Sequence, residues 1–302
     1  MKNKYLTRSL LFVPAHNEKY LKKAVESSAD ILLLDLEDSC QPLKNKVKAR
    51  ELINFYIKKG LFNQKKLFPR INERESGEML KDLKALCNER VDGFMYPKAK
   101  TGKDTYFFGK LLEIFEREQG IEVGYFKIIL LIETTSSIFN IQEIINGCKN
   151  RVIAVAFGHL DYLSDLQAES SFDSKNFEVA RSLCAAGARS CDVIPIDTIH
   201  PENVHDLTHL EVRIKEGKSL GYEGMLCLNP IEIPLVNKYY SPSNDDIKFA
   251  EEVVKSYENS VSKDGAGVAI VNGKFVGPPI IKRAKEILKK NIKLQKSNNK
   301  IK

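Results

Sequence analysis

Several charged or polar groups in this chain directly follow short apolar runs, and they could do chemistry together. Residues 31–34 run into Asp35-Leu36-Glu37-Asp38, residues 66–69 into Arg70-Ile71-Asn72, and residues 93–96 into Pro97-Lys98. Residues 127–132 run into Glu133, residues 152–157 into Gly158-His159-Leu160-Asp161, residues 192–196 into Asp197, and residues 225–228 into Asn229. One charge after one strand is unremarkable. Carboxylates and cations closing successive strands converge on one mouth, where each would be costly if buried alone. Glu133 and Asp161 follow neighbouring runs, and adjacent parallel strands lie ~4.8 Å apart. Two carboxylates, completed by water and a substrate oxygen, make a usual Mg²⁺ arrangement. The same spacing also allows Glu133 a plain ion pair with Arg70 or Lys98. Arg70 could grip a substrate carboxylate through its fork or neutralise Glu37 and Asp38. Lys98 could form a Schiff base, although charge balance in an acidic mouth is the simpler reading. Alternation along a strand sends Asp35 and Glu37 to one side and Asp38 to the other, so at least one of the three is structural. His159 could touch substrate or serve as a hydrogen-bonded loop residue. His205 and His209 have the i,i+4 spacing of a zinc pair, but an outer helix is their expected place, and both read as surface residues.

The elements that must position these groups are eight short runs, the seven above and residues 9–13. They are continuous rather than alternating, as strands buried on both faces should be. Helical signals fill the gaps. Asn17 is a polar cap for a helix to Ser28, and residues 76–88 repeat Met79, Leu80, Leu83 and Leu86. Ser136 or Ser137 can cap a helix through Ile141, Ile144 and Ile145, and Pro201-Glu202 opens a helix ending near Gly217. Eight strands alternating with helices predict an α/β fold, a (β/α)₈ TIM barrel. No G-x-G-x-x-G follows any run, which weighs against an open dinucleotide-binding sheet. After Asn229-Pro230 the pattern changes. Helices over residues 244–258 and 279–294 flank a hairpin of residues 268–271 and 274–276 turning at Asn272-Gly273. The expected organisation is a barrel over residues 1–230 and a C-terminal extension over residues 231–302, capping the barrel mouth or a neighbouring subunit.

Bulk properties remove other classes. Of the +7 net charge, +8 sits in residues 282–302, where nine Lys or Arg accompany one Glu, so the remainder is close to neutral. That is a solvated basic helix end and gives no nucleic-acid surface on the body. No apolar run approaches ~20 residues, and no span is expected. The opening residues read as a strand and not as a signal segment. The six scattered cysteines suit reduced thiols in the cytoplasm.

The ordered blocks resemble a known family. RSLLFVPAHNEKYLKKA, ILLLDLEDSCQPLKNKVKAR, FPRIN, YPKA, LLIET, AFGHLDYLSDL and GYEGMLCLNPIEIPLVNKYYSPS are similar to the successive motifs of citrate lyase β-subunits and their HpcH/HpaI aldolase relatives, among them the malyl-CoA and citramalyl-CoA lyases. The resemblance runs from about Arg8 to the final helices. It implies a TIM barrel, Mg²⁺ as cofactor, and carbon–carbon lyase or reverse condensation chemistry joining an acetyl-type thioester to a small α-keto acid such as oxaloacetate or glyoxylate. It also implies a homo-oligomer, trimeric or larger. By position it makes Glu133 and Asp161 the metal ligands and Arg70 the residue that grips the keto acid. The resulting assignment takes Arg70, Glu37 and Asp38 as catalytic, and Arg70, Gly158, His159 and Lys98 as substrate-binding. The chain departs from the family at Ala15, at Leu228-Asn229-Pro230, and in the hairpin, where Gly277 occupies the position of an aspartate in CoA-dependent relatives. That last departure keeps open an aldolase acting on free pyruvate-like acids, or a non-catalytic acyl-CoA-binding barrel.

Overall fold

The computed structural model describes residues 5–169, 177–198, 207–264 and 268–298. Its main sheet contains eight parallel strands: β1 (Ser9–Pro14), β2 (Ile31–Asp35), β3 (Lys66–Leu67), β4 (Gly93–Tyr96), β5 (Lys127–Ile132), β6 (Val152–Phe157), β7 (Ile194–Asp197) and β8 (Gly224–Cys227). The strand order β3-β2-β1-β8-β7-β6-β5-β4 leaves β3 and β4 at the two ends. The backbone just beyond β3 joins them, since Arg70 bridges both Asp35 and Met95. The Met95 N–H donates to Pro69 O at 2.9 Å, and the Ile71 N–H to Met95 O at 3.3 Å. The sheet is thus closed into the barrel that the alternating pattern predicts.

The barrel interior is filled by every second residue of the strands: Leu10, Ile31 and Leu33, Phe68, Met95, Ile129 and Leu131, Ala154 and Ala156, Ile196 and Leu226. This parity decides which side chains reach the mouth. The next inward positions after Leu33, Phe68 and Leu131 are Asp35, Arg70 and Glu133. Glycine is required where strands press together. A Cβ on Gly93 would lie 2.0 Å from Lys127 O, and one on Gly224 1.7 Å from Thr7 O.

Around the sheet run α1 (Glu18–Glu26), α2 (Leu43–Lys58), α3 (Met79–Leu86), α4 (Gly102–Glu118), α5 (Thr135–Phe139), α6 (Ile141–Gly147), α7 (His159–Leu166), α8 (Glu178–Ser190) and α9 (Leu210–Ser219). The Asn17 side chain caps α1 as the sequence predicts, accepting from the Lys19 N–H. The serine cap expected before Ile141 is corrected. Thr134 caps α5, Ser137 returns the bond as its capping-box partner, and α6 begins after Asn140 with no side-chain cap. The threonine wins because the chain turns helical immediately after β5. The expected start of the helix near Pro201, and His205, lie outside the described residues. Within them, α9 begins at Leu210 and ends two residues past Gly217.

The chain divides into two compact units, Met1–Asn237 and Lys238–Lys302, with α10 (Ile233–Tyr240) running across the boundary. The second unit holds α11 (Asn244–Asp264), the antiparallel hairpin β9 (Ala269–Val271) and β10 (Lys274–Val276), and α12 (Pro278–Asn298). Asn272 and Gly273, with φ of 47° and 73°, form the expected two-residue turn. Ala250, Val253, Val271, Val276, Ile281 and Ala284 make this unit's own core. Among the described residues no helix is long and apolar enough to cross a membrane.

Candidate active site

Arg70 organises the carboxyl ends of β2 and β3. Its Nε and Nη2 donate to the two oxygens of Asp35 at 2.7 and 2.8 Å, a bidentate fork. Asp35 also accepts from the Glu37 and Ser39 N–H groups, both at 3.0 Å. Burial alone would raise the Asp35 pKa, but the Arg70 charge and these donors hold it down at about 2. The remaining nitrogen, Nη1, points at two other carboxylates, Asp38 at 2.9 Å and Glu37 at 3.0 Å. The guanidinium lies over the Phe12 ring, 4.8 Å from its centroid. All three acidic residues of the Asp35–Asp38 block therefore meet Arg70. The expectation from strand alternation is corrected, because β2 ends at Asp35 and Asp38–Cys40 forms a 3₁₀ turn where the two-residue period no longer applies. Asp35 is the structural member, as the anchor of Arg70.

Glu37 is the least satisfied group in the site. Both of its carboxylate oxygens are buried without a hydrogen-bond partner. Their company is ionic: Arg70 Nη1, and Lys98 Nζ at 3.3 Å. Burial, aided by Asp38 and Asp35 and opposed by the two cations, raises its pKa to about 7. Lys98 Nζ also lies 3.8 Å from Glu73, which matches the charge-balance reading of this lysine. Its backbone, at φ 51°, adopts the left-handed region and aims its own N–H at Glu133 Oε1, 2.9 Å away.

Glu133 is almost wholly buried, and burial, then Asp161, then Glu37 drive its pKa well above the ordinary carboxylate value. Among the described residues neither Glu133 nor Asp161 makes an ion pair, so the simple salt bridge to Arg70 or Lys98 does not form. Asp161 sits in the first turn of α7, and its pKa is raised by burial and then by Asp38. Gly158 makes room for Glu133, since a Cβ there would lie 2.8 Å from Glu133 Cβ and 2.9 Å from its Oε2. The neighbouring His159 is buried, with Nδ1 3.1 Å from Thr198 Oγ1.

Five carboxylates (Asp35, Glu37, Asp38, Glu133 and Asp161) thus share one mouth with two cations, Arg70 and Lys98. Three of them, Glu37, Glu133 and Asp161, are pushed toward the neutral form by burial and then by one another's and their neighbours' negative charge. A hard cation would offset that charge, and the available donors are the oxygens it prefers. Among the described residues no three His, Cys, Asp or Glu side chains converge on one point. Glu133 and Asp161, the two carboxylates raised in pKa after β5 and in α7, are oxygen donors of the kind such a cation prefers.

Two residues that also end strands lie elsewhere. Asp197 follows the inward-facing Ile196, so its side chain turns outward, where Arg181 of α8 grips it through Nε at 2.8 Å and through Nη2. Asn229 caps the turn Pro230–Glu232 in a reciprocal box with Glu232. Sequence reasoning missed a buried layer behind the Asp35–Asp38 loop, built from Lys46 and Arg50 of α2, Asn72, and Glu78 and Asp82 next to and within α3. Its one trace in the sequence is that Lys46 and Arg50 fall on the same helical face as the apolar Ala49 and Ile53, which marks them as inward-facing without naming their partners.

Comparison with known proteins agrees with this architecture. Residues 8–230 match the family described as HpcH/HpaI aldolase/citrate lyase. The citrate lyase subunit beta of Escherichia coli K12 is 30% identical over 281 residues, covering 93% of this chain and 92% of that protein. A (3S)-malyl-CoA thioesterase of Cereibacter sphaeroides is 24% identical over 283 residues, covering 94% of each chain. The crystal structure of CitE from Mycobacterium tuberculosis, in complex with magnesium, acetoacetate and coenzyme A, superposes with a TM-score of 0.74 at 22% identity, covering 95% of this chain and 99% of that one, and so shares the fold. The chain belongs to the HpcH/HpaI aldolase/citrate lyase family.

Proposed function

We propose that this protein is a cytoplasmic, Mg²⁺-dependent carbon–carbon lyase that cleaves a β-hydroxyacyl thioester of the CoA type into an acetyl-type thioester and a small α-keto acid, or runs the reverse condensation. The observation that carries this reading is the acidic mouth, in which Glu37, Glu133 and Asp161 are all raised in pKa by burial and by neighbouring carboxylates, with Arg70 and Lys98 as the cations beside them among the described residues. The magnesium, keto acid and coenzyme A of the CitE crystal structure are ligands of the class this site suits. The six free cysteines suit a reducing compartment.

Glu133 and Asp161 would hold the ion, with the Lys98 N–H fixing Glu133 Oε1. When bound, Mg²⁺ supplies Lewis-acid polarisation of the keto acid's carbonyl oxygen. Arg70, locked by Asp35 through two nitrogens, holds Nη1 at a fixed place, and the keto acid's carboxylate would take the position of the half-exposed Asp38 carboxylate on it. Glu37, ionising near neutrality, is matched to accept the substrate's hydroxyl proton as the carbon–carbon bond breaks, and that proton balances the one the enolate carbon must take up to become the acetyl-type thioester, with both transfers retraced in the condensation. Lys98 places a cation beside Glu37, where it can steady negative charge developing on the thioester fragment. Gly158 and His159 line the turn into α7 next to Glu133.

The test uses Glu133→Gln and Asp161→Asn. Each should weaken Mg²⁺ binding in calorimetry by about a hundredfold or more and lower turnover of a malyl-CoA-type thioester by about a thousandfold. Full activity in either variant overturns the reading. Product analysis separates it from hydrolysis, the activity named for the Cereibacter relative. A lyase releases an acetyl-type thioester, whereas a thioesterase releases free CoA.

A further inference from the structure

The loop that carries Glu37 and Asp38 has its backbone held from behind by one buried ammonium. Lys46, in the first turns of α2, is 6% exposed. Its Nζ lies 3.0 Å from Leu36 O, 2.7 Å from Glu37 O and 2.5 Å from Asn72 Oδ1. These three acceptors use all three of its hydrogens, and none is a carboxylate. Asn72 is fixed in turn, because its N–H and Nδ2 both donate to Asp82 Oδ2 at 2.8 Å. The other Asp82 oxygen accepts from Arg50 Nε at 2.7 Å, and Arg50 also binds Glu78. The chain of contacts runs from α3 through Asn72 to Lys46 and ends on the peptide of Glu37, whose two buried carboxylate oxygens have no hydrogen-bond partner among the described residues.

We propose that Lys46 is a positioning residue, whose ammonium pins the Leu36 and Glu37 carbonyls so that the Glu37 carboxylate stays between Arg70 and Lys98. The geometry favours this over a purely structural role. A buried lysine kept for stability alone would be expected on a carboxylate, and Asp82 lies one link away on Asn72. The ammonium instead spends two of its three bonds on the backbone just before the reactive side chain. This rests on the lyase reading for its kinetic consequence, but not for its structural one.

The experiment is a double-mutant cycle of Lys46→Met and Glu37→Gln, with Lys46→Arg as the charge-retaining variant, each confirmed folded by circular dichroism. Lys46→Met should lower kcat on the order of tenfold to a hundredfold with little change in KM for the thioester. In the Glu37→Gln background the same substitution should cost almost nothing, because the group it positions is already gone. Lys46→Arg should recover part of the loss. Losses that multiply in the double mutant overturn the proposal, as does a Lys46→Met loss confined to KM. If Lys46→Met does not fold, the cycle is run with Lys46→Arg. Crystal structures of the wild type and the Lys46 variant decide the matter independently of turnover. Displacement of Glu37 from its pairs at 3.0 and 3.3 Å supports the proposal, and retained pairs overturn it. A wild type without lyase activity would defeat the proposed reaction while leaving this structural result to stand or fall alone.

Discussion

At the scale of single residues, the acidic mouth makes opposite demands on pH. Glu37, Glu133 and Asp161 bind their protons more tightly in the fold than in the unfolded chain, so they favour folding below the ordinary carboxylate range. That contribution is lost as pH rises, for Glu37 through about 7. Asp35 runs the other way. Its pKa of about 2 favours folding above the ordinary value near 4, and that contribution disappears as pH falls toward 2. The metal-free protein should therefore melt at a lower temperature at pH 8 than at pH 6. Mg²⁺ should narrow the difference, because the ion supplies the missing charge. Calorimetric melts across this range with and without Mg²⁺ check it, and equal stabilisation by the ion at both pH values would contradict it.

At the scale of elements, glycines mark where backbone or side chain comes too close for a methyl group. Gly158→Ala should leave the barrel folded and move Glu133, since the nearest atoms belong to that side chain. Mg²⁺ affinity should fall by about tenfold with a small change in melting temperature. Gly93→Ala meets the backbone carbonyl of Lys127 instead, which cannot yield. It should cost at least ~1–3 kcal/mol of stability, measured by chemical denaturation. Gly277→Asp should be tolerated, because a Cβ there makes only ordinary contacts at 3.5 and 3.9 Å. The strands were legible in the sequence because fully buried strands are continuous apolar runs, and residues 93–96, 127–132 and 152–157 match the observed strands residue for residue. The placement of Glu133 and Asp161 near one another at the mouth was legible because polar groups closing such runs have few places to go, and their service as metal ligands is the proposal that the variants test. Asp197 looked the same along the sequence but faces outward. Only the inward parity set by Ala154, Ala156 and Ile196 across the closed sheet separates it from Glu133. The Lys46 layer stayed hidden because its partners are carbonyls and an amide brought together by folding, and none of them carries a charge that spacing could match.

At the scale of the whole molecule, each of the two units has its own core, and Met1–Asn237 contains every residue of the acidic mouth. A chain ending at Ser241, after α10, should fold cooperatively with α/β circular dichroism and keep its Mg²⁺ affinity. Loss of a cooperative melt in that truncation would show that the second unit is needed for the barrel to fold. Within the barrel, β3 contributes only two residues to the ladder, and its bridge to β4 depends on the peptide of Arg70. The amino acid assigned to hold the keto acid is thus also the stitch that shuts the cylinder. Deuterium uptake at the amides of Arg70, Ile71 and Met95 would report both functions at once, and a ligand that quiets them would be tightening the seam of the vessel from inside.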